Sequence, residues 1–343
     1  MTQPTSLPLL DALSAALDAR ASLLPRPEDR GALRLFNGFL EGFPALSVEL
    51  FGRSLVLQGY GPQAGDGAGP RAALALLQER FPWVNSALWK IRSSKDPEER
   101  RGKLLLGEPG QLDDWILEDG VRYALDLRLN QDSSFYLDTR GLRAWLRAHA
   151  KGKAVLNTFA YTGSLGVAAQ ASGASRVVQV DRSKAFLEVA RRSCQLNGLA
   201  APRSSLIATD FFEHAGRLKK SNDLFDVVIV DPPFFSETPQ GRVDLVGEAH
   251  RVINKARPLV GDGGALIAVN NALFLPGAEY HKMLEGLCEG GYLAIETLLE
   301  VPPDCVGFPA TRHGAPPSDP APFNHTTKVA VLRARRKDGR RAT

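Results

Sequence analysis

From Lys153 to about residue 290 the chain repeats one unit, a short apolar run followed by a helical pattern, and few folds can accommodate that repeat. The runs fall near 153–157, 176–181, 204–208, 225–231 and 263–270. Each is dense in Val, Ile, Leu and Ala rather than alternating apolar with polar, which marks strands buried on both faces. Strands of that kind joined by helices predict an α/β domain built on a doubly wound parallel sheet. The first unit, Lys153 to Gly166, reads as strand, glycine turn and helix. Val155 and Leu156 suit the strand, Gly163 the turn, and Leu165, Val167 and Ala168 the helix.

The strands end on polar groups in order: Asn157, Asp181, Asp210 and Asp231. In a doubly wound sheet ligands sit beyond the carboxyl ends of the strands, so these four side chains are predicted to gather at one site. The turn at Gly163 lacks the G-x-G-x-x-G spacing of dinucleotide folds. It suits an adenosyl ligand lying across the loop, with Asp181 accepting both ribose hydroxyls from the end of the second strand.

With 343 residues the chain is long enough for about two domains. Its 44% apolar and 23% charged content is that of a globular protein and excludes disordered or fibrous classes. The formal charge of +4 is concentrated at the end. Arg333, Arg335, Arg336, Lys337, Arg340 and Arg341, less Asp338, carry more than the whole excess, so the body of the protein is not basic. Cys194, Cys288 and Cys305 are widely spaced and odd in number, which fits a reduced cytoplasmic protein without a disulfide framework or a metal site. No basic leader opens the chain and no run approaches a membrane span.

Ahead of the repeat, Leu10, Leu13, Leu17, Ala21 and Leu24 predict an amphipathic helix over 7–24. Short strands are expected in 34–52 and 53–58, joined at Phe51-Gly52, and again at 86–91, 104–106 and 121–127. A loop spans 61–70, a helix 71–81, and a mixed-charge loop Arg92 to Lys103. These make a small mixed α/β domain over 1–128, a candidate for substrate recognition. Residues 129–152 follow as a segment with two readings, a linker whose helix Asp138 caps or a flap over a ligand site. The repeat domain occupies 153–334 and a basic tail 335–343. Its helix over 183–197 buries Cys194. Between the last two strands lies a Pro-rich stretch, Pro302 to His325, of the length that is functional or disordered.

Asp231-Pro-Pro-Phe-Phe235 is the segment that bears most on chemistry. Pro232 and Pro233 stiffen the turn and remove two N–H donors, leaving carbonyls and a carboxylate as acceptors. With Phe234 to stack on a ring, the segment suits a planar base or amine, with Phe235 beside it.

Phe135-Tyr-Leu-Asp-x-Arg140, Leu156-Asn-x-Phe-x-Tyr-Thr-Gly163, Val180-Asp181, Leu196-Asn-Gly-Leu199, Phe225-Asp226 and Asp231-Pro-Pro-x-Phe-Ser236 together resemble a class I S-adenosylmethionine-dependent methyltransferase of the bacterial 23S ribosomal RNA family. The resemblance covers about two thirds of the chain and implies a Rossmann-like methyltransferase sheet, S-adenosyl-L-methionine as cofactor, and ribosomal RNA as partner. It implies that Asn157, Phe159, Tyr161, Thr162 and Gly163 line the cofactor and that Asp181 holds ribose with Arg182 beside it. Asp210 and Phe211 would flank adenine, Tyr136, Asp138 and Arg140 would close over the cofactor, and Asp231 to Phe234 would orient the acceptor.

The family has a cytosine-C5 branch, which carries a nucleophilic Cys at the end of the fifth strand, and an N7-guanine branch with paired asparagines there. This chain has Asn270-Asn271 at that position. Carbon 5 of cytosine requires activation by a thiolate, whereas a ring nitrogen already offers a lone pair, so direct transfer to nitrogen is expected. A methyltransferase of a protein or small molecule, and a catalytically silent RNA-binding factor, are the alternatives.

Overall fold

The computed structural model describes residues 8–61, 68–314 and 323–342. The chain divides into two compact units, Met1–Leu137 with Pro302–Ala315, and Asp138–Val301 with Pro316–Thr343.

The first unit opens with helix α1 (Leu9–Ala19), which is shorter than the apolar spacing suggests. It stops where Arg20 turns inward: the guanidinium is fully buried, donates twice to Glu41 at 2.8 and 2.9 Å, and also reaches the Asp304 carbonyl. The predicted strand over 34–52 is two strands, β1 (Ala32–Asn37) and β2 (Leu46–Phe51), because Gly38 to Ala45 forms turns between them. Then come β3 (Ser54–Gly59), α2 (Ala68–Arg80), β4 (Ser86–Ile91), a short α3 (Pro97–Arg101) and β5 (Lys103–Leu106). The loop expected over 61–70 falls partly outside the described residues. Five strands form one sheet in the order β1-β2-β3-β4-β5, with only β3 and β4 parallel. Its core combines Leu13 and Leu17 of α1 with Leu35, Val48, Leu57 and Trp89 of the sheet. A separate hairpin, β6 (Trp115–Glu118) and β7 (Val121–Ala124), turns on Asp119-Gly120, both at positive φ.

The second unit contains α4 (Arg140–His149), β8 (Ala154–Thr158), α5 (Ser164–Ala171), β9 (Arg176–Asp181), α6 (Lys184–Leu196), β10 (Leu206–Ala208), α7 (Phe211–Ser221) and β11 (Phe225–Val230). A hairpin of β12 (Phe235–Thr238) and β13 (Gly241–Asp244) follows, then α8 (Ala249–Ala256), β14 (Val260–Asn270), α9 (Gly277–Cys288), β15 (Leu293–Leu299) and β16 (Lys328–Ala334). Seven strands pair in the order β10-β9-β8-β11-β14-β16-β15, parallel except for β16. The sheet is therefore Rossmann-like, as the repeat predicts. Alternation within the strands explains why both faces are dry. Leu156, Val178, Val180, Val228, Val230 and Leu266 pack on one face with α7, α8 and α9. Val155, Val177, Val227, Ile229 and Ile267 pack on the other with α4 and α5. Cys194 is buried, as expected of a core residue.

The Pro-rich stretch is described through Gly314 and again from Phe323, and 315–322 lie outside the described residues. Its first part forms a four-residue helix, Pro303–Val306, with Asp304 and Cys305 fully buried in the first unit.

Candidate active site

Strand order reverses between β8 and β11, which lie side by side with Thr158 opposite Val230. The loops that leave these strands therefore open a crevice at their carboxyl ends. The loop after β8 is strained in an alternating way: Phe159, Tyr161 and Gly163 have φ of +54°, +51° and +78°. For the two aromatic residues this left-handed backbone costs about 1–2 kcal/mol each. The surrounding contacts offset that cost. Tyr161 N–H donates to Asp181 Oδ2 at 2.8 Å and Ala160 N–H to the Val180 carbonyl at 2.8 Å. The Phe159 ring lies 4.8 Å from that of Phe211, and Tyr161 4.7 Å from Phe186.

Asp181, at the end of β9, is half-buried and accepts from Tyr161 and, at 2.8 Å, from Ser183 N–H. Burial raises its pKa, and the backbone donors oppose the rise. A carboxylate has about four acceptor positions, and the Arg182 backbone N–H also bears on this one, so part of that capacity is left for a ligand. Arg182 beside it is exposed. Asn157 is buried on β8 and donates to Gln179 Oε1 at 3.2 Å, while its own Oδ1 has no hydrogen-bond partner among the described residues. Thr162 is buried. Gly163 sits in close quarters: a Cβ there would lie 2.5 Å from Ala190 Cβ and 2.7 Å from Gln179 Oε1. Its missing side chain lets α6 and β9 approach the loop.

Asp210 caps α7, accepting from Phe212 N–H at 2.8 Å and Glu213 N–H at 3.4 Å, and takes a bond from Thr238 Oγ1 at 3.1 Å. Phe211 is buried between Phe159 and Phe212. Asp138 does not cap α4, whose N-cap is Thr139; it accepts from Thr327 Oγ1 at 2.6 Å. Arg140 begins α4 and is half-buried. Tyr136 belongs to the first unit, where its hydroxyl donates to Asp132 Oδ2 at 3.1 Å.

Asp231 follows β11, half-buried, with no hydrogen bond from the described residues. Desolvation, reinforced by the charge of Asp138, pushes its carboxyl up to about 7. Pro232 is buried, whereas Pro233, Phe234 and Phe235 are exposed. The two asparagines brace this region. Buried Asn270 donates to the Leu245 carbonyl at 2.9 Å and accepts from Ala272 N–H at 2.9 Å, and Asn271 donates to the Pro232 carbonyl at 3.4 Å.

Two residues that sequence reasoning passed over also belong here. Tyr280, buried on α9, has its hydroxyl pKa pushed up by burial and by the charge of Asp231. Lys328, opposite Asn270 on β16, is fully buried and donates to the carbonyls of Ala272 and Thr326 at 3.0 and 2.5 Å; burial lowers its pKa to about 8. A lysine opening an apolar strand was the one available signal.

A family model described as S-adenosylmethionine-dependent methyltransferase matches residues 34–311. The chain belongs to that family. Ribosomal RNA large subunit methyltransferase I of Erwinia tasmaniensis is 31% identical over 280 residues, which is 79% of this chain and 68% of the relative. The Escherichia coli protein of the same name is 29% identical over 269 residues, 76% of this chain and 66% of the relative. The chain thus spans about two thirds of the length of these relatives. SMU.776, a protein solved in complex with SAH, has the same fold with a TM-score of 0.81 at 22% identity, covering 97% of this chain and 83% of that one.

The methyltransferase uses S-adenosylmethionine, and the residues present fit it: the strand-end carboxylate keeps acceptor capacity beyond its backbone donors, and Asn157 Oδ1 is buried without a partner among the described residues. Among the described residues no group of His, Cys, Asp and Glu could hold a metal ion, and no helix is long and apolar enough to cross a membrane.

Proposed function

We propose that the methyltransferase acts on large-subunit ribosomal RNA and transfers the methyl group directly to a purine ring nitrogen, N7 of guanine. The observation that carries this reading is Asn270, fully buried with both ends of its amide engaged at the position where a C5 mechanism needs a thiolate. No cysteine of the second unit compensates. The Cys194 thiol is pushed up to about 11 by burial, and burial raises that of Cys288 too. The names of the two relatives support ribosomal RNA as the acceptor.

S-adenosylmethionine supplies a methyl group on a sulfonium, which leaves as a neutral thioether. Asp181 accepts the ribose hydroxyls, and Asn157 Oδ1 accepts a donor of the methionine portion. Asp231 accepts N1–H and N2–H of guanine, which turns the N7 edge toward the methyl group, and Phe234 stacks on the ring. In such a transfer the N7 lone pair would form the new bond, the carbon–sulfur pair would go to sulfur, and no proton would be removed. The protein contributes proximity and orientation rather than acid–base chemistry.

A second reading is favoured by the elevated pKa of Asp231: transfer to an amino nitrogen, with this carboxylate taking the proton. RNA carrying 5-fluorocytosine tests the proposal at its centre, since a thiolate mechanism would leave a stable covalent adduct. Methyl transfer without an adduct is expected. An adduct would overturn direct transfer.

A further inference from the structure

Every exposed large apolar side chain among the described residues of the second unit lies on two segments. These are Phe234 (49% exposed), Phe235 (52%) and Val246 (52%) after β11, and Leu273 (45%) and Phe274 (81%) after β14. Folding ordinarily buries such side chains, so their concentration at one end of the sheet marks an interaction surface.

The segments are tied together. Asn271 donates to the Pro232 carbonyl, Asn270 to the Leu245 carbonyl, and Leu245 N–H to the Phe234 carbonyl at 3.2 Å. The hairpin between them is anchored to α7 through Thr238 and Asp210, and Gly241 packs against the Phe212 ring so closely that a Cβ would meet it at 2.5 Å. The surface is therefore held in shape before any partner arrives. At no more than about 3.6 Å per residue, Phe274 is within roughly 11 Å of Asn271, and Phe234 within roughly 7 Å of Pro232.

We propose that these two segments form a stacking platform for single-stranded RNA flanking the acceptor nucleotide, with Phe274 as its outermost ring. The inference rests on the RNA reading above and adds to it a residue and a substrate form. Three observations favour this occupant. The patch shares Phe234 with the Asp231–Phe234 socket and is tied to it by the Asn271–Pro232 and Leu245–Phe234 hydrogen bonds, so it borders the acceptor position. Three of its five side chains are aromatic, and a ring offers a face to any base irrespective of sequence. The Arg242 guanidinium lies 5.4 Å over the Phe235 ring but is paired with Asp244 at 3.0 Å, so the platform attracts by stacking rather than by free positive charge. A duplex, whose bases are already stacked, offers it nothing.

The test uses the full chain, a fluorescein-labelled single-stranded decaribonucleotide and the same sequence as a duplex, read by anisotropy, together with kinetics on large-subunit ribosomal RNA. Phe274→Ala, at a side chain too exposed to support the fold, is expected to weaken single-strand binding about 5- to 100-fold. The salt dependence of binding and the affinity for S-adenosylmethionine should not change, and KM for RNA should rise while kcat holds. Phe274→Trp should bind as well as the wild type, and Phe274→Leu should resemble the alanine variant. Unchanged binding in Phe274→Ala, or full recovery in Phe274→Leu, would overturn the platform, the latter by showing that apolar contact without a ring is enough. A wild-type protein that methylates ribosomal RNA while Phe274→Ala shows no defect removes the platform alone. A wild-type protein that neither binds nor methylates RNA removes the RNA reading and the platform with it.

Discussion

Gly163→Ala separates two explanations of the glycine turn that look alike in sequence. The new Cβ would lie 2.5 Å from Ala190 Cβ and 2.7 Å from Gln179 Oε1, both well inside ordinary contact, on a backbone with φ of +78°. The left-handed conformation costs about 1–2 kcal/mol for a residue with a Cβ, and forcing a methyl group into packed surroundings about 1–3 kcal/mol more. The reduced freedom of the unfolded chain returns about 0.4–1 kcal/mol. The net loss should be about 1–5 kcal/mol. Gly152→Ala provides the control, since Gly152 has φ of +71° and nothing within 4 Å of the added atom, so it carries the conformational cost without the packing cost. Urea unfolding of both variants gives the packing contribution by difference, and calorimetry reports cofactor affinity. If Gly163→Ala were no less stable than Gly152→Ala yet failed to bind S-adenosylmethionine, the space beside Gly163 would belong to the ligand, and the packing argument would be wrong.

Three further outcomes are expected. Burial holds the Asp231 carboxyl near 7, above its ordinary value of 3.8. The folded state therefore binds this proton more tightly than the unfolded state, and the stability it contributes is present below pH 3.8 and lost as pH rises through 7. Asp231→Asn should accordingly gain in Tm relative to the wild type between pH 5 and pH 8, and parallel Tm curves would contradict the burial argument. Arg20→Ala leaves Glu41 charged and unpaired inside the first unit, which should cost about 3–5 kcal/mol in chemical unfolding; a loss under about 1 kcal/mol would show that water reaches the pair. Asp181→Ala should weaken S-adenosylmethionine binding by at least tenfold in calorimetry with little change in fold, whereas unaltered affinity would place the ribose elsewhere.

What the sequence displayed well was whatever depends on local periodicity. The doubly wound sheet was legible because its strands are buried on both faces, and Asp181 because it ends one of them. The β12–β13 hairpin was not legible, since Phe235 to Thr238 is short and exposed and follows two prolines that read as a stop. The β6–β7 hairpin does carry a signal, Asp119-Gly120 at positive φ, set ahead of the longer strand pattern over 121–127. Side chains committed across the chain were invisible for a different reason. Asp138 looked like a cap because it precedes a helix, but Thr327, 189 residues away in sequence, takes its carboxylate. Phe211, expected to flank adenine, is packed between two other rings, contacts that no local pattern displays. Lys328 stood out only as a lysine opening an apolar strand, which does not foretell the carbonyls around its ammonium, because the residues that enclose it come partly from another strand's end.

Direct transfer to nitrogen is the central claim, and nucleoside mass spectrometry tests it most directly. Large-subunit ribosomal RNA from cells lacking the protein is incubated with purified enzyme and methyl-labelled S-adenosylmethionine, then digested to nucleosides. The label should appear in 7-methylguanosine and vanish with Asp231→Ala. Label in 5-methylcytidine, or in no nucleoside while another class of molecule becomes methylated, would contradict the account.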